Sequence, residues 1–330
     1  MTELLHVIVS CATAFIVVFA ATPQLVRFLE SRGMTVPDGH KRQKIMVAMP
    51  GGPALIAGII SSELVLYALA PSPAILAVLI TTTAAFAIGL ADDKKSMSGW
   101  FKPVMLAIAA VPILLIGAYD TDLVFPIFGT VHIPVLYMAL VIFMIVITGN
   151  TANSIDVLNG VLSGFMIIAG MALTISLVIV ENYNVAAAAL PLVMVSLAYY
   201  RYHRLQSRIF PGDSGALTLG AMYGTLAIVG GVEVIAAVII LPAILNSFLF
   251  LSSTKKIIEF KKTRPTVTMT EEKDVRLEST DDVLAPVTLV RLILAAGPLS
   301  ESQVARRIFY LGVFSGTLGV LTALFTRINT

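Results

Sequence analysis

Asp92 and Asp93 stand side by side in "AIGLADDKKSMSGWFKP", at the end of the apolar run Ala74–Leu90. Adjacent carboxylates repel, and near lipid they have little water to screen them. The pair either marks the water boundary or is held there to manage phosphate, metal or protons. Lys102 follows nine residues after Asp93 and opens the next apolar run. Further on, "GNTANSIDVLNG" spaces Asn150, Asn153, Asp156 and Asn159 three residues apart, which sets the four side chains near one face of a helical start. "RIFPGDSG" then supplies Phe210, Gly212 and Asp213 ahead of another apolar run. Carboxylates with an amide oxygen suit a hard cation such as Mg²⁺, which takes one or two carboxylates together with substrate phosphates. A nearby basic residue suits diphosphate, and glycines at 149, 160, 212 and 215 let backbone approach a ligand closely. Plainer readings stand beside these, because an acid at a helix start also caps it and complements its dipole, as Asp213 and Asp156 would.

The elements that must position these groups are membrane spans. Of 330 residues, 57% are hydrophobic and 13% charged, with mean hydropathy +0.92. A soluble domain carries about 25% charged residues, so the composition excludes one. Ten apolar segments approach span length: Leu4–Phe28, Pro53–Ala70, Ala74–Leu90, Pro103–Ala118, Pro134–Gly149, Val161–Val180, Val185–Tyr199, Gly215–Val229, Val232–Leu251 and Ile308–Thr326. The predicted fold is all-α and polytopic, one transmembrane domain over residues 1–330. The first segment has no basic region before it and reads as a retained span.

With ten spans, one set of loops plus Arg27 holds every Lys and Arg except Arg327. Basic loops stay cytosolic during insertion, so both termini are expected outside and the acidic cluster at the cytosolic face. "DTDLVFPIFGTVHIP" reads as a small external hairpin around Phe128-Gly129-Thr130. The inner segment 252–307 reads as a charged lid-like loop, with "VLAPVTLVRLILAAGPL" as an amphipathic interfacial helix. His6 and His132 fall toward the outer side; His40 and His203 fall on the inner side and read as surface residues. Cys11, the single cysteine, excludes an intramolecular disulfide and a cysteine metal site. Glu63 is an acid inside the second span with no partner evident from the sequence.

Taken in order, the "DD" pair with Lys102, "NTANSIDVLNG" and "FPGDSG" resemble the polyprenyl-phosphate N-acetylhexosamine-1-phosphate transferases. That family includes the bacterial peptidoglycan translocase and the eukaryotic enzyme that starts dolichol-linked N-glycan assembly. "PDGHKRQKIMVAMPGG" looks like the family's first cytosolic loop, and the resemblance covers nearly the whole chain. It implies that Asp213 ligates Mg²⁺ (Mn²⁺ being able to replace it), with Asn153 as second ligand. Asp92 would be base or orienting group for the lipid phosphate, with Asp93 beside it, and Asp156 occupies the place of an aspartate important for activity. Lys102 would meet the diphosphate, Phe210 would stack on uracil and Asn159 would hydrogen-bond it. Lys41, Asn150 and Gly212 would complete the substrate site.

The sequence departs from the family at Val157, where glycine is usual, and at Gln43, which replaces a frequent histidine. The bacterial histidine-rich motif of the last inner loop is absent, and "KKTRPTV" stands in its region. An arginine there resembles the archaeal and eukaryotic GlcNAc-1-phosphate branch, so Arg264 is expected to help bind the sugar or diphosphate. The implied reaction moves a sugar 1-phosphate from a UDP-sugar to a polyprenyl or dolichyl phosphate and releases UMP. The implied partners are those two substrates and the bilayer, with no nucleic acid; a homodimer stays open. Three rivals remain at this point: the muramoyl-pentapeptide donor as substrate, a CDP-alcohol phosphotransferase, and a cation-coupled transporter. The CDP-alcohol enzymes need a closely spaced aspartate run on one helix, which is not found. A transporter would place paired acids near mid-membrane, and the sequence shows no internal repeat to support an inverted-repeat architecture.

Overall fold

The computed structural model describes residues 2–41, 44–95, 97–254, 263–270 and 276–328. Gln43 and much of the charged lid-like stretch, including the lysines of "KKTRPTV", lie outside these residues.

Each predicted span falls on helix. The helices are α1 (Thr2–Ser31), α2 (Gly52–Leu69), α3 (Pro73–Lys94), α4 (Phe101–Ala109), α5 (Val111–Ile116), α6 (Pro134–Ile155) and α7 (Val161–Ile179). They continue with α8 (Tyr183–His203), α9 (Gly212–Val229), α10 (Glu233–Ile239), α11 (Leu241–Thr254), α12 (Leu289–Leu294) and α13 (Glu301–Ile328). Proline stands at the first or second position of α2, α3, α5 and α6. There its fixed φ suits the helix and its missing N–H costs nothing.

Among the described residues, seven helices are long and apolar enough to cross a membrane unaided: α1, α2, α3, α6, α7, α8 and α13. The chain is a multi-span membrane protein, and the count of ten is not reached on length and composition alone. The predicted ninth span is not one straight helix. It breaks by 73° between α10 and α11, where Pro242 cannot supply the amide that continues the ladder. The fourth is a short apolar stretch, Phe101–Ile116, split at Ala110 ahead of Pro112. The seventh, which looks short in the sequence, runs to 21 residues in α8.

The helix that organises the bundle is α9, whose residues from Ser214 to Ile228 are all buried. Small residues let its neighbours come close. A Cβ on Gly89 of α3 would sit 2.5 Å from Ser214 Cα, and one on Gly220 would sit 2.4 Å from Thr148 O of α6. The axes of α3, α6 and α9 therefore pack almost backbone to backbone. Long helices α1 and α13 lie at the periphery, with 17% and 33% of their apolar windows buried.

Among the described residues, three antiparallel strand pairs lie between the helices. The first pairs β1 (Thr35–Pro37) with β2 (Met46–Ala48). The second pairs β3 (Asp122–Phe125) with β4 (Gly129–His132), the hairpin expected around Phe128. The third pairs β5 (Val267–Met269) with β6 (Leu277–Ser279) inside the lid-like segment. The expected amphipathic helix is shorter than its apolar pattern suggests. Only the six residues of α12 are helical, between the Thr288 side-chain cap and the turn at Gly297. Arg291 ties this segment down by donating to the carbonyls of Ala285, Pro286, Thr280 and Asp282.

Candidate functional site

The start of α9 is built by a residue from another helix. Gly212 takes a left-handed φ of +68°, and a Cβ there would lie 2.8 Å from both carboxylate oxygens of Asp93. Bare of a side chain, it leaves room for that carboxylate, which accepts the amides of Asp213 at 2.8 Å and Ser214 at 2.9 Å. The first N–H groups of a helix have no partner within it, and Asp93 satisfies two of them while its charge favours the positive dipole end. Asp93 thus holds the start of α9 as well as lining the cavity described below.

Asp213 thereby projects toward Lys102. The Lys102 ammonium lies 2.8 Å from Asp213 Oδ1 and 3.1 Å from Asp92 Oδ2, and all three side chains are largely buried. Asp92 also accepts the Met97 amide at 2.8 Å. Two carboxylates that close would repel, and the ammonium between them offsets the repulsion. The end of α3, the start of α4 and the start of α9 meet at this one point.

Beside this triad opens a cavity of about 260 Å³. Asp38, Asp93, Asn153, Asp156, Asn159, His203, Phe210, Gly212 and Asp213 line it, with His40 and the turn from Val157 to Leu158. Neither Lys102 nor Asp92 lines it; they reach it through Asp213. Asp156 follows the last residue of α6, and its carboxyl is pushed up to about 8 by burial, then by the charges of Asp213 and Asp93. Its Oδ1 lies 3.6 Å from His203 Nε2, while His203 Nδ1 meets Ser163 Oγ at 2.9 Å. The expectation that His203 is a surface residue is overturned, since it is 1% exposed. Its place four residues after Tyr199, on the buried face of α8, is the periodic signal that could have shown this.

Other expected residues are not gathered in. Asn150 turns its amide back onto the Val146 carbonyl of its own helix at 2.8 Å, a local bond that takes it out of the site. Arg264 pairs with Asp282 at 2.9 Å on an exposed loop and does not line the cavity. Lys41 pairs with Glu301, at the first turn of α13, and reaches the site only through it. Asp38 and Glu301 were both passed over in the sequence, yet each accepts from Asn159. Glu63 is buried in α2, away from the cavity-lining residues, and neither of its oxygens has a hydrogen-bond partner among the described residues.

The stretch that carries most of these groups, residues 75–231, matches the family described as glycosyl transferase family 4. That stretch is similar to the family over just under half of the chain. The match runs from the start of α3 to just past α9, so it includes Asp92, Asp93, Lys102, Asn153, Asp156, Asn159, Phe210 and Asp213. Lys41, Arg264 and Glu301 lie beyond it. Among curated proteins, the chain is 25% identical over 265 residues to one of Saccharolobus solfataricus, provisionally named a UDP-N-acetylglucosamine–dolichyl-phosphate N-acetylglucosaminephosphotransferase. That similarity covers 79% of this chain and 82% of the relative. A provisionally named glycosyltransferase of Methanocaldococcus jannaschii is 26% identical over 324 residues, 97% of this chain and 99% of its own length. The phospho-N-acetylmuramoyl-pentapeptide-transferase of Rubrobacter xylanophilus is 27% identical over 287 residues, 78% of this chain and 84% of the relative.

The donor set of this site fits a hard cation. Asp213, Asp156 and Asn153 line one cavity, and their side chains carry oxygens of the kind that Mg²⁺ takes. No group of three or more acidic, His or Cys side chains that could hold a metal ion is found among the described residues. Among the described residues, the cavity-lining carboxylates outnumber the Lys102 ammonium beside them.

Proposed function

We propose that this protein transfers a sugar 1-phosphate from a UDP-sugar to a polyprenyl or dolichyl phosphate, releasing UMP and leaving a lipid diphosphate-sugar. The observation that carries the reading is the meeting of Asp213, Asn153, Asp156 and Phe210, from separate elements, around one cavity beside Lys102. GlcNAc-1-phosphate is the proposed sugar group, in keeping with the names of the archaeal relatives.

An oxygen of the lipid phosphate attacks the phosphorus that bears the sugar. The bond to the bridging oxygen breaks, and that oxygen leaves with the electron pair as part of UMP. Phosphoryl transfer depends mostly on positioning and on neutralising charge. Bound Mg²⁺, held by Asp213 and Asn153, would supply Lewis-acid neutralisation of the diphosphate. The chain's own groups do the rest. Lys102 adds fixed positive charge next to Asp213. Asp92 orients Lys102 through its 3.1 Å contact, and a lipid phosphate already ionised near neutral pH (second pKa about 6) leaves little for a base to do. Phe210 offers an aromatic face to the uracil.

The reaction is proposed to occur at the cytosolic surface, since nearly all Lys and Arg residues fall in the loops on that side. Purified protein with UDP-GlcNAc, a short polyprenyl phosphate and Mg²⁺ should release UMP in proportion to lipid diphosphate-sugar formed. Absence of UMP release from every UDP-sugar offered, including the muramoyl-pentapeptide donor, would rule the reading out.

A further inference from the structure

Four side chains from three parts of the chain meet at one edge of the cavity, where Asn159 and Asp38 line it and Glu301 and Lys41 stand behind them. Asn159 donates its backbone N–H to Glu301 Oε1 at 3.0 Å, and its side-chain nitrogen to the same oxygen at 2.5 Å and to Asp38 Oδ2 at 3.0 Å. The other oxygen of Glu301 takes Lys41, and the other oxygen of Asp38 accepts the His40 amide at 3.1 Å. Both carboxylates are thus occupied as acceptors.

This arrangement leaves the Asn159 amide one orientation. Turned over, its oxygen would face two carboxylate oxygens with no proton between them. Held as it is, Asn159 Oδ1 is buried without a hydrogen-bond partner, on a residue that is 5% exposed and lines the cavity. An orphaned buried acceptor is costly unless a ligand donates to it. Asn159 cannot set its own orientation, because an isolated amide presents oxygen or nitrogen equally well. The decision comes from Glu301 and Asp38.

We propose that Glu301, assisted by Asp38, is a positioning and specificity-determining residue that locks the Asn159 amide with its oxygen toward the ligand, so that the cavity selects a base carrying an N–H donor there. The inference rests on the UDP-sugar reading above. Uracil has an N3–H donor, whereas cytosine has a lone pair at N3. A site built to accept one hydrogen bond rejects the analogue that cannot give it. The Lys41 pair brings the loop between β1 and β2 into the same device. It holds Glu301 from the outside while Asn159 holds it from the inside.

The test measures inhibition and binding by UMP and CMP, alongside KM and kcat for UDP-GlcNAc. Parent protein should favour UMP. Glu301→Ala should lose about tenfold of that preference, the worth of one well-placed hydrogen bond, chiefly through KM. Glu301→Gln keeps an acceptor oxygen and should retain the preference. Asn159→Ala should show the same loss, and adding Glu301→Ala to it should cost no further selectivity, since the two act as one unit. A merely structural Glu301 would lower kcat or unfolding temperature and leave the UMP-to-CMP ratio unchanged; that result overturns the proposal. Nucleotide binding is read separately from turnover. Failure of UMP release with the UMP preference intact would therefore strike the reaction, and a preference unaffected by Glu301→Ala would strike this inference.

Discussion

Asp93 holds the backbone amide of Asp213 at 2.8 Å across 120 residues of chain, and the next amide, of Ser214, at 2.9 Å. One carboxylate thereby supports another. Asp93→Ala leaves two helix-terminal amides without their partner, at about 1–3 kcal/mol for each buried group. It should lower the unfolding temperature in detergent and abolish UMP release. Asp93→Asn retains one acceptor oxygen and should fall between. Parent-like turnover by the alanine variant would show that α9 keeps its place unaided.

The approach of α3 to α9 depends on Gly89. A Cβ there would stand 2.5 Å from Ser214 Cα and 2.6 Å from Asp213 O, both backbone atoms that cannot swing aside. Gly89→Ala must push the helices apart, and overpacking of this kind costs about 1–3 kcal/mol. Transfer should drop more steeply than stability, because the same displacement separates Asp92 and Asp93 from Asp213. An alanine variant with unaltered kcat would contradict this.

Lys102 is the sole cation seen between Asp92 and Asp213 among the described residues. Lys102→Met strands two mostly buried carboxylates, and breaking a buried pair costs about 3–5 kcal/mol. Adding Asp92→Asn should recover much of the stability and none of the transfer. Recovery of turnover in the double variant would remove Lys102 from the chemistry.

Asp213→Ala should leave the protein folded and end Mg²⁺-dependent transfer. The cleaner readout is a Mg²⁺ titration: bound cation should protect parent protein against thermal unfolding and leave this variant unprotected. Full Mg²⁺-dependent turnover by Asp213→Ala would refute the metal assignment.

Asp156 makes stability depend on pH. Its carboxyl is pushed up to about 8 in the folded protein by burial and by Asp213 and Asp93, whereas an unfolded aspartate ionises near about 3.9. Between those values the folded state keeps a proton that the unfolded state has released. Stability is therefore full below about 4 and is lost as pH rises toward about 8, by linkage. Asp156→Asn should flatten that slope in metal-free protein and raise the unfolding temperature at pH 8, while impairing transfer. An unchanged slope would show that Asp156 is ionised throughout.

Much of the fold was legible because lipid imposes it. Each of the ten apolar segments is helical, and the hairpin at Asp122–His132 was evident from its alternation. The breaks were harder to see. Pro112 and Pro242 sit inside runs whose hydropathy is continuous, and hydropathy does not register a missing amide. The helix at 289–294 was overread for the opposite reason, an apolar pattern longer than the segment that Thr288 and Gly297 delimit.

In the site, residue types were a better guide than residue roles. Asp92, Lys102, Asp156, Phe210 and Asp213 do converge, as their placement at span ends suggested. Asn150 shares the three-residue spacing of Asn153 and Asp156, but a helix advances 100° per residue and the drift carries it away. Asp93 and Gly212 line the cavity and also share a structural task that the sequence does not show, the cap at the start of α9 and the space for it.

By itself the sequence determined a helical membrane protein with acidic and amide groups at the ends of its spans. Burying so many apolar side chains while pairing every backbone amide leaves few other structures, and charges are expelled to the span ends. Only the tertiary structure decided which of those groups meet. Glu301 reaches Asn159 across 142 residues, and Asp93 reaches Asp213 across 120. Such pairs are set by how closely glycine-bearing helices can pack and by which carboxylate finds an unpaired amide. No local pattern in the chain encodes either one.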